Sequence, residues 1–254
     1  MAITEIGSCS HVFEIVHKIT APTVLFRGQD LKAPLDPKFA RIAREMKLER
    51  QNDYEHEILE QFKRQATPYV DLKHDSPQFR WLYLARHYGL PTRLLDWTTN
   101  PFVALWFAVE KRNPGDKQDS FLHVFEVDDY DLEYHPDSTS TYDIDGRGSV
   151  KAFRPFHIDR RISAQAGWFT VHPYQRASNS YLSAHKTTIR GELNDYWINN
   201  HSIEDIRNEL LKMGISRANL FPDLGGISEA IEMDLRLGRI PIAAVYDASG
   251  EKKK

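Results

Sequence analysis

The residues best equipped for chemistry form one run, Arg86-His87-Tyr88-Gly89-Leu90-Pro91-Thr92-Arg93-Leu94-Leu95-Asp96-Trp97-Thr98, followed by Asn100-Pro101 and an apolar stretch. The run gathers one His, one Tyr, two Arg, one Asp, one Trp and two Thr about a Gly/Pro corner. A segment that only filled a core would have no use for so many polar groups, so the run marks a site. His87 and Tyr88 stand just before a helix stop, where such rings either pack or stack on a flat ligand. Arg93 and Asp96 are spaced to form a buried pair that fixes the corner, and Trp97 reads as core.

Other chemistries find less support. Eleven His residues are scattered, none in an HExxH-type spacing, which argues against zinc. The single cysteine, Cys9, excludes an intramolecular disulfide and a multi-thiolate metal site, fits a reducing cytosol and carries no nucleophile signature. Gly146-Arg147-Gly148 is too short to cradle a phosphate. A net charge of −3 argues against a general polyanion-binding surface but permits a local basic cleft. Lys151, Arg154, Arg160 and Arg161 form such a cluster, either a solvated loop or a seat for phosphates or nucleic acid. No apolar run reaches the ~18 residues of a membrane span, and Met1–Ser10 lacks the layout of a secretory signal.

The elements that must position these residues follow from patterning. Thr23–Phe26 reads as a short buried strand, broken by Arg27-Gly28-Gln29-Asp30. Apolar residues recurring every three or four positions make Pro37 to Ala66 helical. Ser76-Pro77 starts a buried helix over Gln78–Tyr88, stopped by Gly89, and Leu94–Trp97 is a strand. Asn100-Pro101 opens an apolar helix to Val109. Strands are expected at Ser120–Val127, Phe153–Pro155, Gly167–Val171, Lys186–Arg190 and Ile240–Tyr246. Helical segments are expected at Ser202–Met213, Ser216–Phe221 and Gly226–Leu237. The mixed order lacks strict βαβ alternation and favours α+β, with residues 1–254 as one domain.

Phe26-Arg27-Gly28 resembles the tripeptide from which the FRG-domain family takes its name. The likeness continues through His87–Thr98, Asn100-Pro101 and Ala104-Leu105-Trp106-Phe107-Ala108, and Phe221-Pro222-Asp223-Leu224 is similar to the family's C-terminal segment. It covers residues 20–110 firmly and residues 111–254 loosely. The family occurs in bacteria and phages, and its motif order is similar to the ADP-ribosyltransferase plan, which has a split central sheet. That plan implies an early strand-end Arg, a hydroxyl-bearing strand leading into an apolar helix, and a late Glu or Gln. Here these are Arg27, then Thr98 or Thr99, then Gln165.

On that plan NAD is the co-substrate and no metal is needed. Arg27, with its planar charged fork, would grip a pyrophosphate or ribose oxygen, and Gly28 would let the ligand close on the backbone. Thr98 would brace the site, His87 and Tyr88 would stack on a ring, and Tyr88 and Trp168 would exclude water. Gln165 can hold ribose hydroxyls but cannot offset positive charge, and Glu192 is the alternative acid. Each has a plainer structural reading: a strand-end ion pair for Arg27, helix-entry chemistry for the threonines, an exposed loop carboxylate for Glu192. The resemblance implies a cytoplasmic ADP-ribosyltransferase suited to toxin or defence work, acting on protein, RNA or DNA, with an antitoxin as a further partner. An NAD glycohydrolase and a non-catalytic nucleotide-sensing module are the alternatives.

Overall fold

The computed structural model describes residues 5–73, 75–112, 116–133, 148–156, 160–185 and 188–240. In chain order, strand β1 (Glu5–Ile6) and helix α1 (Cys9–His17) precede strand β2 (Val24–Gln29) and helices α2 (Lys38–Glu45), α3 (Gln51–Ala66) and α4 (Gln78–His87). Strand β3 (Leu94–Thr98), helix α5 (Pro101–Val109) and strands β4 (Ser120–Glu126) and β5 (Lys151–Phe153) follow. A short helix α6 (Arg160–Ala164) leads to strand β6 (Gly167–Val171) and the hairpin β7 (Tyr174–Gln175) and β8 (Ser180–Tyr181). Strand β9 (Glu192–Ile198) and helices α7 (Ile203–Lys212), α8 (Arg217–Leu220) and α9 (Leu224–Arg236) complete the described chain.

The class is α+β, as patterning suggests. Seven strands form one sheet in the order β1-β9-β4-β2-β3-β6-β5, antiparallel except for β1 against β9. The centre of this sheet positions the site. β2 pairs with β4 along its whole length, from Val24↔Glu126 to Gln29↔Phe121, but meets β3 at the single position Phe26↔Thr98. Beyond that rung the two strands part, leaving a fork between a four-strand and a three-strand portion. Asn100 is well fitted to start α5 here: its Oδ1 accepts from Phe102 N at 3.0 Å and Val103 N at 3.4 Å, with Pro101 in the first turn. α5 is buried from Val103 to Trp106 and at Ala108 and Val109.

Several expectations need correction. β2 does not break at Arg27 but runs on to Gln29. The reason is Gly28: a Cβ there would stand 1.9 Å from Ala104 O and 2.6 Å from Ala108 N, so the missing side chain is what seats α5 on the strand. The helical stretch from Pro37 to Ala66 is two helices, separated where Lys47 and Arg50 adopt positive φ of 53° and 25°. Ser76 does not cap α4; Pro77 takes that position and no side chain caps it. The strand expected at Phe153–Pro155 lies instead at Lys151–Phe153. β1, α1 and β9 have no counterpart in the patterning. Thr188–Arg190 is not a strand; the Thr188 hydroxyl donates to Ser183 O at 2.7 Å, holding a turn. Lys186, Thr187, Gly146, Arg147 and residues 241–246 lie outside the described residues.

Candidate functional site

The fork opens into a cavity of about 1140 Å³. β2 contributes Arg27 and Gly28, β3 contributes Asp96, Trp97 and Thr98, and the end of α4 contributes Arg86 and His87, with Tyr88 and Gly89 just beyond. The end of α5, helix α6 with Gln165, and the Phe221–Asp223 turn close the remaining sides. Seven Arg or Lys and four Asp or Glu side chains line it. The lining is therefore basic although the chain as a whole is acidic.

Arg27 lies across the fork. Its Nη1 donates to Asp96 O at 2.8 Å and stands 3.9 Å from Asp96 Oδ2, and the side chain is 16% exposed. Burial pushes its pKa down to about 10; Asp96 opposes this, while the charges of Arg86 and Arg41 add to it. Arg27 remains a cation at neutral pH. Arg86 Nη2 donates to Asp96 Oδ2. Burial raises the Asp96 pKa, but Arg86 and then Arg27 outweigh it, so this half-exposed carboxyl is held below the usual carboxylate range. The Nε atoms of Arg27, Arg86 and Arg217 are buried with no hydrogen-bond partner among the described residues. Unpaired buried donors are costly, so the three guanidinium groups are held in place at a price in stability.

Thr98 and Gln165 meet at the rear of the cleft. Thr98 Oγ1 donates to Gln165 O at 2.6 Å and accepts from Asn100 N at 3.0 Å. Its hydroxyl hydrogen is spent on the backbone, so Thr98 ties the turn carrying Gln165 to the start of α5. Thr99 is exposed and is joined to the same turn through its N–H, which donates to Ala166 O at 3.2 Å. The Gln165 Nε2 donates to Leu220 O at 3.0 Å, linking it to the C-terminal turn. A carboxylate there would face that carbonyl, which is one physical reason for an amide.

Arg27, Gly28, His87, Tyr88, Thr98 and Gln165 thus line one concavity, drawn from segments far apart in sequence. Glu192 does not join them. It is exposed at the start of β9, in register with Glu126. Through the pairs Arg27↔His123 and His123↔Asp195, it lies two strands away from Arg27, about 10 Å across, and three residues along, about another 10 Å. Gly28 lines the cavity, but its glycine is required by α5. Arg93 and Asp96 are not a pair: three residues apart on a strand, they point to opposite faces. Arg93 Nε donates to Glu55 Oε2 at 2.7 Å in a buried network with Asn52 and Tyr181, while Asp96 faces the arginines of the cleft. The basic cluster divides likewise. Arg160 and Arg161 line the cleft, whereas Lys151 is buried against Tyr130.

The sequence signals missed two parts of the site. Phe221 is flanked by guanidinium groups, with Arg161 Cζ 4.1 Å and Arg217 Cζ 4.7 Å from its ring centroid, and it packs against Trp106 and Phe107. The Phe221-Pro222-Asp223 motif pointed there without indicating the flanking arginines. Behind the cleft, Trp97 Nε1 donates to Thr170 Oγ1 at 2.9 Å, which lies 2.9 Å from His172 Nε2, and His172 Nδ1 donates to Leu182 O at 2.6 Å. Leu182 O only accepts, so Nδ1 carries a proton, and in the neutral imidazole Nε2 accepts from the Thr170 hydroxyl. Burial pushes the His172 pKa down to about 4, in accord with that order of donors.

Cys9 is buried, its thiol pushed up to about 12 first by burial and then by Glu209, which fits a structural role. No cluster of metal-ligating side chains occurs among the described residues, and none of their helices is long and apolar enough to cross a membrane. Residues 22–117 match the family model of the FRG domain. No curated protein and no solved structure matches the chain.

Proposed function

Residues 22–117 match the family model of the FRG domain, and from that match we propose that the chain is an ADP-ribosyltransferase that takes NAD in the fork. One observation carries the reading: Arg27, Thr98 and Gln165, in the order required by the ADP-ribosyltransferase plan, border one cavity where the sheet divides. The charged Arg27 and Arg86 side chains lining the cleft suit the pyrophosphate, and Trp168 and Phe107 offer apolar surface for the rings.

In the reaction the nicotinamide–ribose C–N bond breaks and its electron pair leaves with nicotinamide. A heteroatom of the acceptor bonds to the ribose carbon, and the acceptor's proton passes to solvent. The transition state carries oxocarbenium character, as in glycoside hydrolysis. Arg27 orients the pyrophosphate, and the Gln165 amide oxygen accepts from ribose hydroxyls. Stabilisation of positive charge falls to Asp96, which is ionised and half-exposed within the cleft. Tyr88 and Trp168 restrict water, and the setting is the cytoplasm, in toxin or defence work.

The test is incubation with NAD labelled in its adenylate portion, reading nicotinamide release and covalent label together. Release with label on an acceptor is the expected result, abolished in a folded Arg27→Ala variant and reduced in Gln165→Ala. Unchanged release in both folded variants would overturn the assignment. Release with free ADP-ribose alone would make the chain a glycohydrolase. The amide at position 165 favours a second reading, a nucleotide-binding module without turnover, for which calorimetry would show binding of NAD and no release.

A further inference from the structure

We infer that the acceptor at this cleft is single-stranded nucleic acid; the inference rests on the proposed transfer and names its substrate class. Apart from Arg161, which stands over the Phe221 ring, the cations around the cavity form two sets. Inside, Arg27 and Arg86 face Asp96, and Arg217 is paired with Glu110 and Glu229. At the mouth, Arg41, Lys111 and Arg160 are exposed and form no ion pair among the described residues. These three come from α2, the turn after α5 and the start of α6, so the fold brings them together from separate segments. The chain's net charge is −3, so the basic mouth is a local arrangement rather than a consequence of composition.

An aromatic ring stands on the same rim. Tyr88 is 64% exposed, with His87 edge-on at 5.1 Å between centroids. Lys38 Nζ donates to Gly89 O at 3.0 Å, which ties the helix bearing Arg41 to the corner bearing Tyr88. Cations follow a phosphodiester backbone, and an exposed ring stacks on an unpaired base. A duplex keeps its bases stacked within, and an acidic polypeptide would leave Tyr88 without a flat partner. A base heteroatom held at the fork takes the ADP-ribosyl group as nicotinamide departs with the C–N electron pair, and its proton passes to solvent.

The experiment measures anisotropy of a fluorescein-labelled single-stranded oligonucleotide of roughly 20 nucleotides, from about 50 to about 200 mM salt. Wild type, the triple variant Arg41→Gln/Lys111→Gln/Arg160→Gln, and Tyr88→Ala are compared. Loss of three phosphate contacts lowers the slope of log affinity on log salt by about 2 and weakens binding at least about tenfold at the lower salt. Tyr88→Ala weakens it about tenfold. Label from NAD on the oligonucleotide falls in the triple variant by a larger factor than nicotinamide release without acceptor does, and an equal fall in both would count against the inference. Absent oligonucleotide binding, equal binding by the triple variant, or label accepted by polyglutamate and not by the oligonucleotide would overturn the inference. If wild type releases no nicotinamide, the transferase reading fails alone, and the anisotropy arm still decides whether the rim holds a strand.

Discussion

Gly28→Ala separates two roles for one residue. If the glycine exists to admit a ligand, alanine lowers ligand affinity and leaves stability alone. The structure gives the other answer, because the new methyl group would stand 1.9 Å from Ala104 O and 2.6 Å from Ala108 N. Carbon and carbonyl oxygen ordinarily meet no closer than about 3.3 Å, so α5 must retreat by more than about 1 Å. Neither contact is a flexible side-chain tip that can swing away. α5 is buried on most sides, and its retreat disturbs its packing on Phe26, Leu122 and Val124. Overpacking commonly costs about 1–3 kcal/mol, and a clash with helix backbone belongs at the upper end, about 3 kcal/mol. With a urea slope of roughly 3 kcal/mol per molar, the unfolding midpoint falls by about 1 M. Tryptophan fluorescence follows it, since Trp97 and Trp106 lie in the affected region. An unchanged midpoint accompanied by weaker NAD binding would refute the packing account and restore the ligand-approach reading.

Two further outcomes follow from buried polar groups. His172 is held at a pKa of about 4 in the folded chain, against an ordinary value of about 6.5. The unfolded chain therefore binds the extra proton first, and stability present above pH ~6.5 is progressively lost down to pH ~4, about 3 kcal/mol in all. Urea titrations across that range should show the loss, and a folded His172→Gln variant should flatten it; an equal slope in both would refute the assignment. Replacing Glu55 with Gln leaves Arg93 buried beside a neutral amide and should cost about 3–5 kcal/mol, read by denaturation. Asp96→Asn as the more costly change would reverse the distinction drawn between these two carboxylates.

The legible parts of the chain were those in which a local rule decides the outcome. Asn100-Pro101 states a helix start in two residues, and the apolar run after it states burial, so α5 could be read almost to its ends. Gly89 and Gly214 both mark stops, with φ of 90° and 78°. The family resemblance was legible because the long motif around Asp96 is specific, and the match over residues 22–117 supports it. What stayed hidden depends on distant partners. Glu-Leu-Asn-Asp-Tyr-Trp-Ile becomes β9 because β4 and β1 flank it, although its polar content lowers its strand propensity. Lys47 and Arg50 gave no sign of the positive φ that divides α2 from α3, since neither is a residue usually found there. Arg93 pairs with Glu55 and not with Asp96 because nearness in sequence counts for little on a strand, where odd spacing sends side chains apart. The guanidinium pair around Phe221 draws on residues 161 and 217, which nothing local connects.

The single rung between Phe26 and Thr98 has a cost that the charged residues beside it help to meet. A sheet normally exposes its unsatisfied margins only at its two outer strands, where they invite a foreign chain to add on. Here the parting of β2 and β3 creates two more such margins in the interior of the sheet, opening onto solvent through the cleft. Arg27, Arg86 and Asp96 stand along them, and charge at a margin is a common defence against unwanted strand addition. The same guanidinium groups that would receive a ligand would thereby also oppose strand addition by a second copy. Neutralising all of them would therefore be expected to yield an insoluble protein as well as an inactive one.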